Sequence, residues 1–186
     1  MQVNRIFPGK RRNERPAKTA AGQDYEKARS YENGTFLTIY LSPSDYHRIH
    51  TPIAGEVRHS TYIPGTLFPV NPFGVRMVKG LFARNERLVT YLQSRNAGMV
   101  ALVKVGAIIV GSVRVNYSDC TTNLPGGRLE KKDYPAGIRL AKGEELGRFE
   151  FGSTVILLFQ PGRIRLDVCP GQRVRMGQAI GRVNSL

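Results

Sequence analysis

The sequence predicts a mostly β domain, a β-rich α+β fold built as a short-stranded, barrel-sandwich-like body with one or two short helices. Three observations carry this. Short runs rich in β-branched and aromatic residues recur along the chain, turn-forming Asn-Gly and Pro-Gly pairs separate them, and no long segment has the helical spacing of apolar positions. The 186 residues are 41% hydrophobic and 23% charged, enough apolar material for a core and too little charge for wholesale disorder.

The elements follow in order. Residues 1–32 carry eight basic side chains in their first thirty positions (Arg5, Lys10, Arg11, Arg12, Arg15, Lys18, Lys27 and Arg29) against Glu14, Asp24 and Glu26, which predicts a flexible basic arm. From Gly34 onward the text becomes β-like. Strands are expected at Phe36 to Leu41, Leu88 to Leu92, Met99 to Val103, Ala107 to Val110 and Val155 to Phe159. Helical turns are expected from Ser42 to Ile49, where Ser42 can cap and Pro43 suits the first turn, and from Gly80 to Arg87. Residues 170–181 read as two short strands joined by a turn. That turn, Met176-Gly177, lacks the Lys a biotin or lipoate carrier needs.

The net charge is +14, and twenty of the 28 basic residues are Arg, whose planar fork suits phosphate. An anionic partner follows, either nucleic acid or an anionic lipid surface. No run reaches the roughly 18 apolar residues of a spanning helix, and no secretory signal is visible at the start of the sequence. Only two Cys occur, Cys120 and Cys169, so a disulfide scaffold is excluded and a reducing compartment is expected.

Two of the three His, His47 and His50, stand in Ser42-Pro43-Ser44-Asp45-Tyr46-His47-Arg48-Ile49-His50. Two His without a third ligand at matching spacing do not make a metal set, so no metal is expected. Acid–base work is the better use, since imidazole titrates near neutrality and Asp45 can orient it. A second feature is Glu150-Phe151-Gly152-Ser153-Thr154-Val155, where a Gly-Ser pair opens one of the most apolar strands. Alone, such a pair usually marks a bend whose Ser satisfies a backbone group.

Together with Leu81-Phe82-Ala83-Arg84-Asn85-Glu86-Arg87 and Val105-Gly106-Ala107-Ile108-Ile109-Val110-Gly111-Ser112, these segments resemble the phosphatidylserine decarboxylase family, the bacterial proenzyme type. The resemblance runs from about residue 33 to the end, in the family's order and spacing, and makes 33–186 the catalytic domain. It implies self-cleavage between Gly152 and Ser153 into a β chain, 1–152, and an α chain, 153–186, with a pyruvoyl group in place of Ser153 as the cofactor. By the same resemblance His50 matches the processing base, Asp45 its orienting partner, and His47 the residue that binds substrate and protonates the carbanion. The pyruvoyl carbonyl would form a Schiff base with the phosphatidylserine amine, carbon dioxide would leave, and hydrolysis would release phosphatidylethanolamine. Tyr62-Ile63-Pro64-Gly65-Thr66-Leu67-Phe68-Pro69-Val70-Asn71 is similar to the substrate-facing loop, so Leu67, Phe68 and Val70 are expected to meet substrate and dip into the membrane. A peripheral protein on the cytoplasmic face of the cell membrane is implied, and a homodimer is left open.

The sequence departs from the family in lacking an upstream Ala-Asp-Gly, whose Asp would complete the processing triad; Asp24, in Gly22-Gln23-Asp24-Tyr25, does not match it. Two other readings therefore stand beside the first: a relative that keeps the fold without maturing, and a basic β domain that binds nucleic acid. Against the last, Trp is absent and the 16 Phe and Tyr form no basic–aromatic stripe, so nucleic acid is not expected.

Overall fold

The computed structural model describes residues 4–7, 25–108, 112–123, 125–150 and 154–185. Among these, fourteen strands and three short helices are found, and the mostly β class holds.

The main body is an eight-stranded antiparallel sheet. Its centre is β2 (Thr35–Tyr40), β11 (Thr154–Phe159), β6 (Gly98–Val105) and β5 (Arg87–Ser94), with β4 (Gly55–Ile63) and β9 (Glu130–Leu140) on one flank. On the other flank lie β1 (Asn4–Phe7) and β13 (Arg173–Val174), which makes the strand order β13-β1-β2-β11-β6-β5-β4-β9. Every position of β11 is buried, as are nearly all of β5 and β6. Strands covered on both faces need unbroken apolar runs rather than alternation, and Val155-Ile156-Leu157-Leu158-Phe159 supplies one. The outer strand β9 is the opposite case: it is mostly exposed and carries Lys131, Lys132, Asp133 and Pro135, residues that discourage edge-to-edge pairing.

A second sheet comprises, in spatial order, β3 (Arg48–His50), β10 (Glu145–Phe149), β7 (Val113–Val115) and β8 (Ser118–Thr121). Its Ile49, Val113, Val115, Leu146 and Phe149 join the same hydrophobic core as the main sheet. A two-stranded ribbon, β12 (Ile164–Leu166) with β14 (Gly181–Val183), completes the strands.

Four expectations are corrected. Residues 42–49 are not helical: Asp45 N–H donates to the Ser42 carbonyl at 2.9 Å in a turn, and Arg48–His50 then pair with β10. Cross-strand pairing that buries the β-branched Ile49 outweighs the local capping signal. The stretch 1–32 is not wholly a free arm, because β1 pairs with β2 and β13, and the helix α1 (Tyr25–Arg29) leads into Tyr31, with Ala28 and Tyr31 both buried. Ala107 and Ile108 follow β6 outside any strand, while Ile109 and Val110 lie outside the described residues. Finally, residues 170–181 do not form a pair of strands joined by a turn: they hold β13, which joins the main sheet, and only the first residue of β14, which joins β12.

The expected helix after Gly80 is present as α3 (Leu81–Arg84), preceded by α2 (Pro72–Met77). Asn71 caps α2 by accepting from Gly74 N–H at 2.8 Å, with Pro72 in the first turn. Gly80, at φ 67°, occupies the left-handed conformation that lets the chain reverse into α3.

Candidate active site

The chain leaves the second sheet at the end of β10 and enters the centre of the main sheet at Thr154, the first residue of β11. Phe151, Gly152 and Ser153, which join the two, lie outside the described residues, so the expected cleavage site is approached through its flanks. On the upstream side, Phe149 N–H donates to the His47 carbonyl at 2.9 Å, and Glu150 N–H donates to the Ser112 carbonyl at 3.1 Å. On the downstream side, Thr154 pairs with Tyr40 of β2 and Val105 of β6, and Val105 pairs in turn with Arg87 of β5. Tyr40, Thr154, Val105 and Arg87 therefore form one row across the sheet, with side chains on a common face.

His47 stands beside this junction. Its Nε2 is buried and has no hydrogen-bond partner among the described residues, and the same holds for Oγ1 of the fully buried Thr154. Buried polar atoms are nearly always paired, so two such atoms without a partner among the described residues, one on the residue bonded to Phe149 and one on the first residue of β11, mark places prepared for a polar group. Burial holds the His47 imidazole below its ordinary pKa, which Asp45 opposes through its backbone and its charge.

His50 is built differently. Thr51 N–H donates to the Glu144 carbonyl and Gly143 N–H to the Thr51 carbonyl, each at 2.9 Å, which clamps the turn before β10 against the end of β3. That clamp sets the Gly143 carbonyl 2.7 Å from His50 Nδ1. A carbonyl only accepts, so Nδ1 carries the proton in the neutral ring and Nε2 keeps its lone pair, which accepts the Tyr46 hydroxyl at 2.8 Å. The Tyr46 ring also stacks on the imidazole, 5.7 Å between centroids. The expected pairing of Asp45 with His50 is thus not what is found. The Asp45 carboxylate accepts from Ser42 N–H at 2.7 Å, and Tyr46 and Gly143 orient His50 in its place. His47 precedes β3 and His50 ends it.

Leu67, Phe68 and Val70 are also only partly as expected. Val70 is 4% exposed and belongs to the core, while Leu67 and Phe68 are half-buried. Their anchor is Asn85, fully buried, whose amide accepts from Phe68 N–H at 3.1 Å and donates to the Phe68 and Gly106 carbonyls at 2.8 Å. Next to it Glu86, also buried, accepts from the Tyr62 hydroxyl at 2.6 Å and from Asn123 N–H at 2.8 Å. Arg87 donates to the Ala83 and Asn85 carbonyls, and burial pushes its pKa down to about 10. In the sequence Asn85-Glu86-Arg87 stands out only as part of a motif; four consecutive polar residues, Arg84 to Arg87, between an apolar turn and an apolar strand are the available signal for a buried brace.

Comparison with known proteins decides the family. The phosphatidylserine decarboxylase family profile matches residues 11–182. The chain belongs to that family. It is 51% identical over 170 residues to a phosphatidylserine decarboxylase proenzyme of Anaeromyxobacter sp. (strain K), covering 89% of this chain and 60% of that protein. It is 50% identical over 161 residues to the proenzyme of Brevibacillus brevis, covering 86% and 58%. A Shewanella loihica proenzyme matches 99% of this chain at 42% identity, over 66% of its own length. The chain thus spans about 60% of the length of these phosphatidylserine decarboxylase relatives.

Proposed function

We propose that the chain is the catalytic part of a phosphatidylserine decarboxylase that cuts its own backbone at Gly152-Ser153 and uses the product to convert phosphatidylserine to phosphatidylethanolamine. One observation supports this above the others: His47, whose buried Nε2 has no partner among the described residues, is tied by its carbonyl to Phe149, four residues before Ser153. The family supplies the rest.

In the cleavage, the Ser153 hydroxyl attacks the Gly152 carbonyl. The new C–O bond replaces the C–N bond, giving an ester and a free amine. Loss of the Ser153 α-proton expels the Gly152 carboxylate, and addition of water with release of ammonia leaves the pyruvoyl carbonyl at the head of the 153–186 chain. His50 is the base for the first step. Its Nδ1–H, fixed on the Gly143 carbonyl, leaves Nε2 as the basic atom, and protonation there makes a cation that the carbonyl continues to stabilise. Tyr46 holds that nitrogen until the serine proton arrives.

A pyruvoyl group supplies a carbonyl that condenses with a primary amine and draws off the electron pair left by a departing carboxylate. The residues flanking the segment suit it: Thr154 Oγ1 and His47 Nε2 are buried polar atoms that lack a partner among the described residues. His47 holds and delivers the proton that replaces carbon dioxide on the substrate carbon, and burial of its Nε2 keeps bulk water from competing.

The lipid is met at a membrane surface by a peripheral protein, with the +14 charge attracting anionic head groups. Among the described residues no helix is long and apolar enough to cross a membrane. The face of the membrane is the cytoplasmic one in this reading, and 33–186 is the catalytic domain. Intact mass spectrometry of the purified protein tests the proposal: two chains divided after Gly152, the smaller blocked to Edman degradation, support it, and one uncut chain after prolonged incubation opposes it.

A further inference from the structure

We propose that the part of this domain that enters the bilayer is the exposed face of α2, Phe73 with Met77, together with Ile108, and not the 67–70 loop. The occupant of that face is the surface of an anionic membrane. The inference rests on the decarboxylase reading only for the reason a membrane is needed; the binding itself requires neither cleavage nor activity.

Phe73, Met77 and Ile108 are 63%, 68% and 66% exposed, the three most exposed large apolar side chains among the described residues. Phe73 and Met77 lie four apart on one helix, so their side chains rise from the same face. Ile108 comes from a different segment but the same region. Asn85 donates to both the Phe68 and the Gly106 carbonyls, which ties the turn after β6 to the 67–70 loop. Gly74 lies so close on that loop that any Cβ there would overlap the Pro69 carbonyl oxygen, so α2 is seated directly on it. The loop is therefore a pedestal: Val70 points into the core, Phe68 lies under the Arg84 guanidinium at 4.8 Å, and α2 stands outside them.

Charge names the partner. Arg76, Lys79 and Arg84 are all exposed within or beside the two helices, and no Asp or Glu occurs from Val57 to Asn85. Exposed apolar side chains on α2, with three exposed cations within or beside the two short helices in a stretch of chain without a carboxylate, suit a surface that offers phosphates above hydrocarbon. The position also suits a lipid reaction. Val105, three residues before Ile108, pairs with Thr154, the residue that follows Ser153 in the chain, so the turn that carries Ile108 and the start of β11 lie at one end of the main sheet.

The chain contains no Trp, so Phe73→Trp gives a single reporter. With vesicles of phosphatidylcholine and phosphatidylglycerol, free of phosphatidylserine, its emission is expected to shift to the blue and to be quenched by brominated acyl chains, while Phe68→Trp is not quenched. A Ser153→Ala background is expected to give the same result, which separates this inference from self-cleavage. Phe73→Ser with Met77→Ser is expected to weaken vesicle binding at least about tenfold with thermal unfolding unchanged. Failure to sediment with the vesicles, or sedimentation with the Phe73→Trp emission unquenched, overturns the proposal. So does a double variant that changes the oligomeric state and leaves vesicle binding intact, which would give the face to a second copy of the chain.

Discussion

The Tyr46 hydroxyl donates to Nε2 of His50 at 2.8 Å, occupying the one ring nitrogen that can act as a base. The proposed cleavage therefore begins with an exchange in which the serine hydroxyl displaces that of Tyr46. Tyr46→Phe keeps the stacked ring and loses one hydrogen bond, worth about 0.5–1.5 kcal/mol, so the cleavage rate is expected to stay within about tenfold of the parent. His50→Ala is expected to stop cleavage on the same timescale. The ratio of cut to uncut chain on a denaturing gel reads both. A Tyr46→Phe protein as inert as His50→Ala would make the hydroxyl a proton relay rather than a holder.

Cleavage and decarboxylation are expected to separate at His47. His47→Ala should still mature, because its backbone bond to Phe149 does not need the side chain. Release of carbon dioxide should fall by roughly 10²–10⁴-fold, the range of general acid–base groups. Labelled carbon dioxide release by fully cleaved protein measures this, and an undiminished rate would remove His47 from the chemistry.

Asn85→Ala is expected to destabilise the domain by about 2–4 kcal/mol, since one fully buried amide holds three backbone groups of two segments. Denaturant unfolding measures the loss. An effect below about 0.5 kcal/mol would show that the two segments hold together without it.

Lys104 is fully buried on β6 and donates to the Thr90 hydroxyl, and burial lowers its pKa from 10.5 to about 7. Between these values the unfolded chain binds a proton that the folded chain does not, so this residue makes stability rise as pH increases from about 7 towards about 10 and costs stability at neutrality. Lys104→Met is expected to be more stable than the parent at about pH 7, with the difference shrinking by about pH 9.5. The Thr90 and Tyr117 hydroxyls, 2.5 Å apart, remain paired with each other in the variant. Parallel unfolding curves at the two pH values check the sign, and a difference that grows with pH contradicts it.

The legible parts of the fold are those whose cause is local. The runs at Phe36, Leu88, Met99 and Val155 form β2, β5, β6 and β11 because β-branched and aromatic residues between turn-formers have few other uses. The helix expected at Ser42 fails because the partner that makes His50 part of a strand lies near residue 145, far along the chain. Separation also hides the sites. Asp45 looks like the natural partner of His50 from five residues away, yet the Gly143 carbonyl from a distant turn takes Nδ1, and Tyr46, four residues before His50, gives no sign of its role in the sequence. Lys104 interrupts an otherwise apolar run, and a single charge inside a strand otherwise buried on both faces is its own signal.

The central claim is that Ser153 ends as the blocked first residue of a separate chain. The intact mass of the purified full chain, recorded under denaturing conditions, tests it most directly. Two species are expected, one of residues 1–152 and one of residues 153–186, the second lighter than its serine form and unreactive to Edman degradation, with Ser153→Ala giving a single species. A lone 20.7 kDa chain from the unmutated protein, unchanged after long incubation, would contradict it.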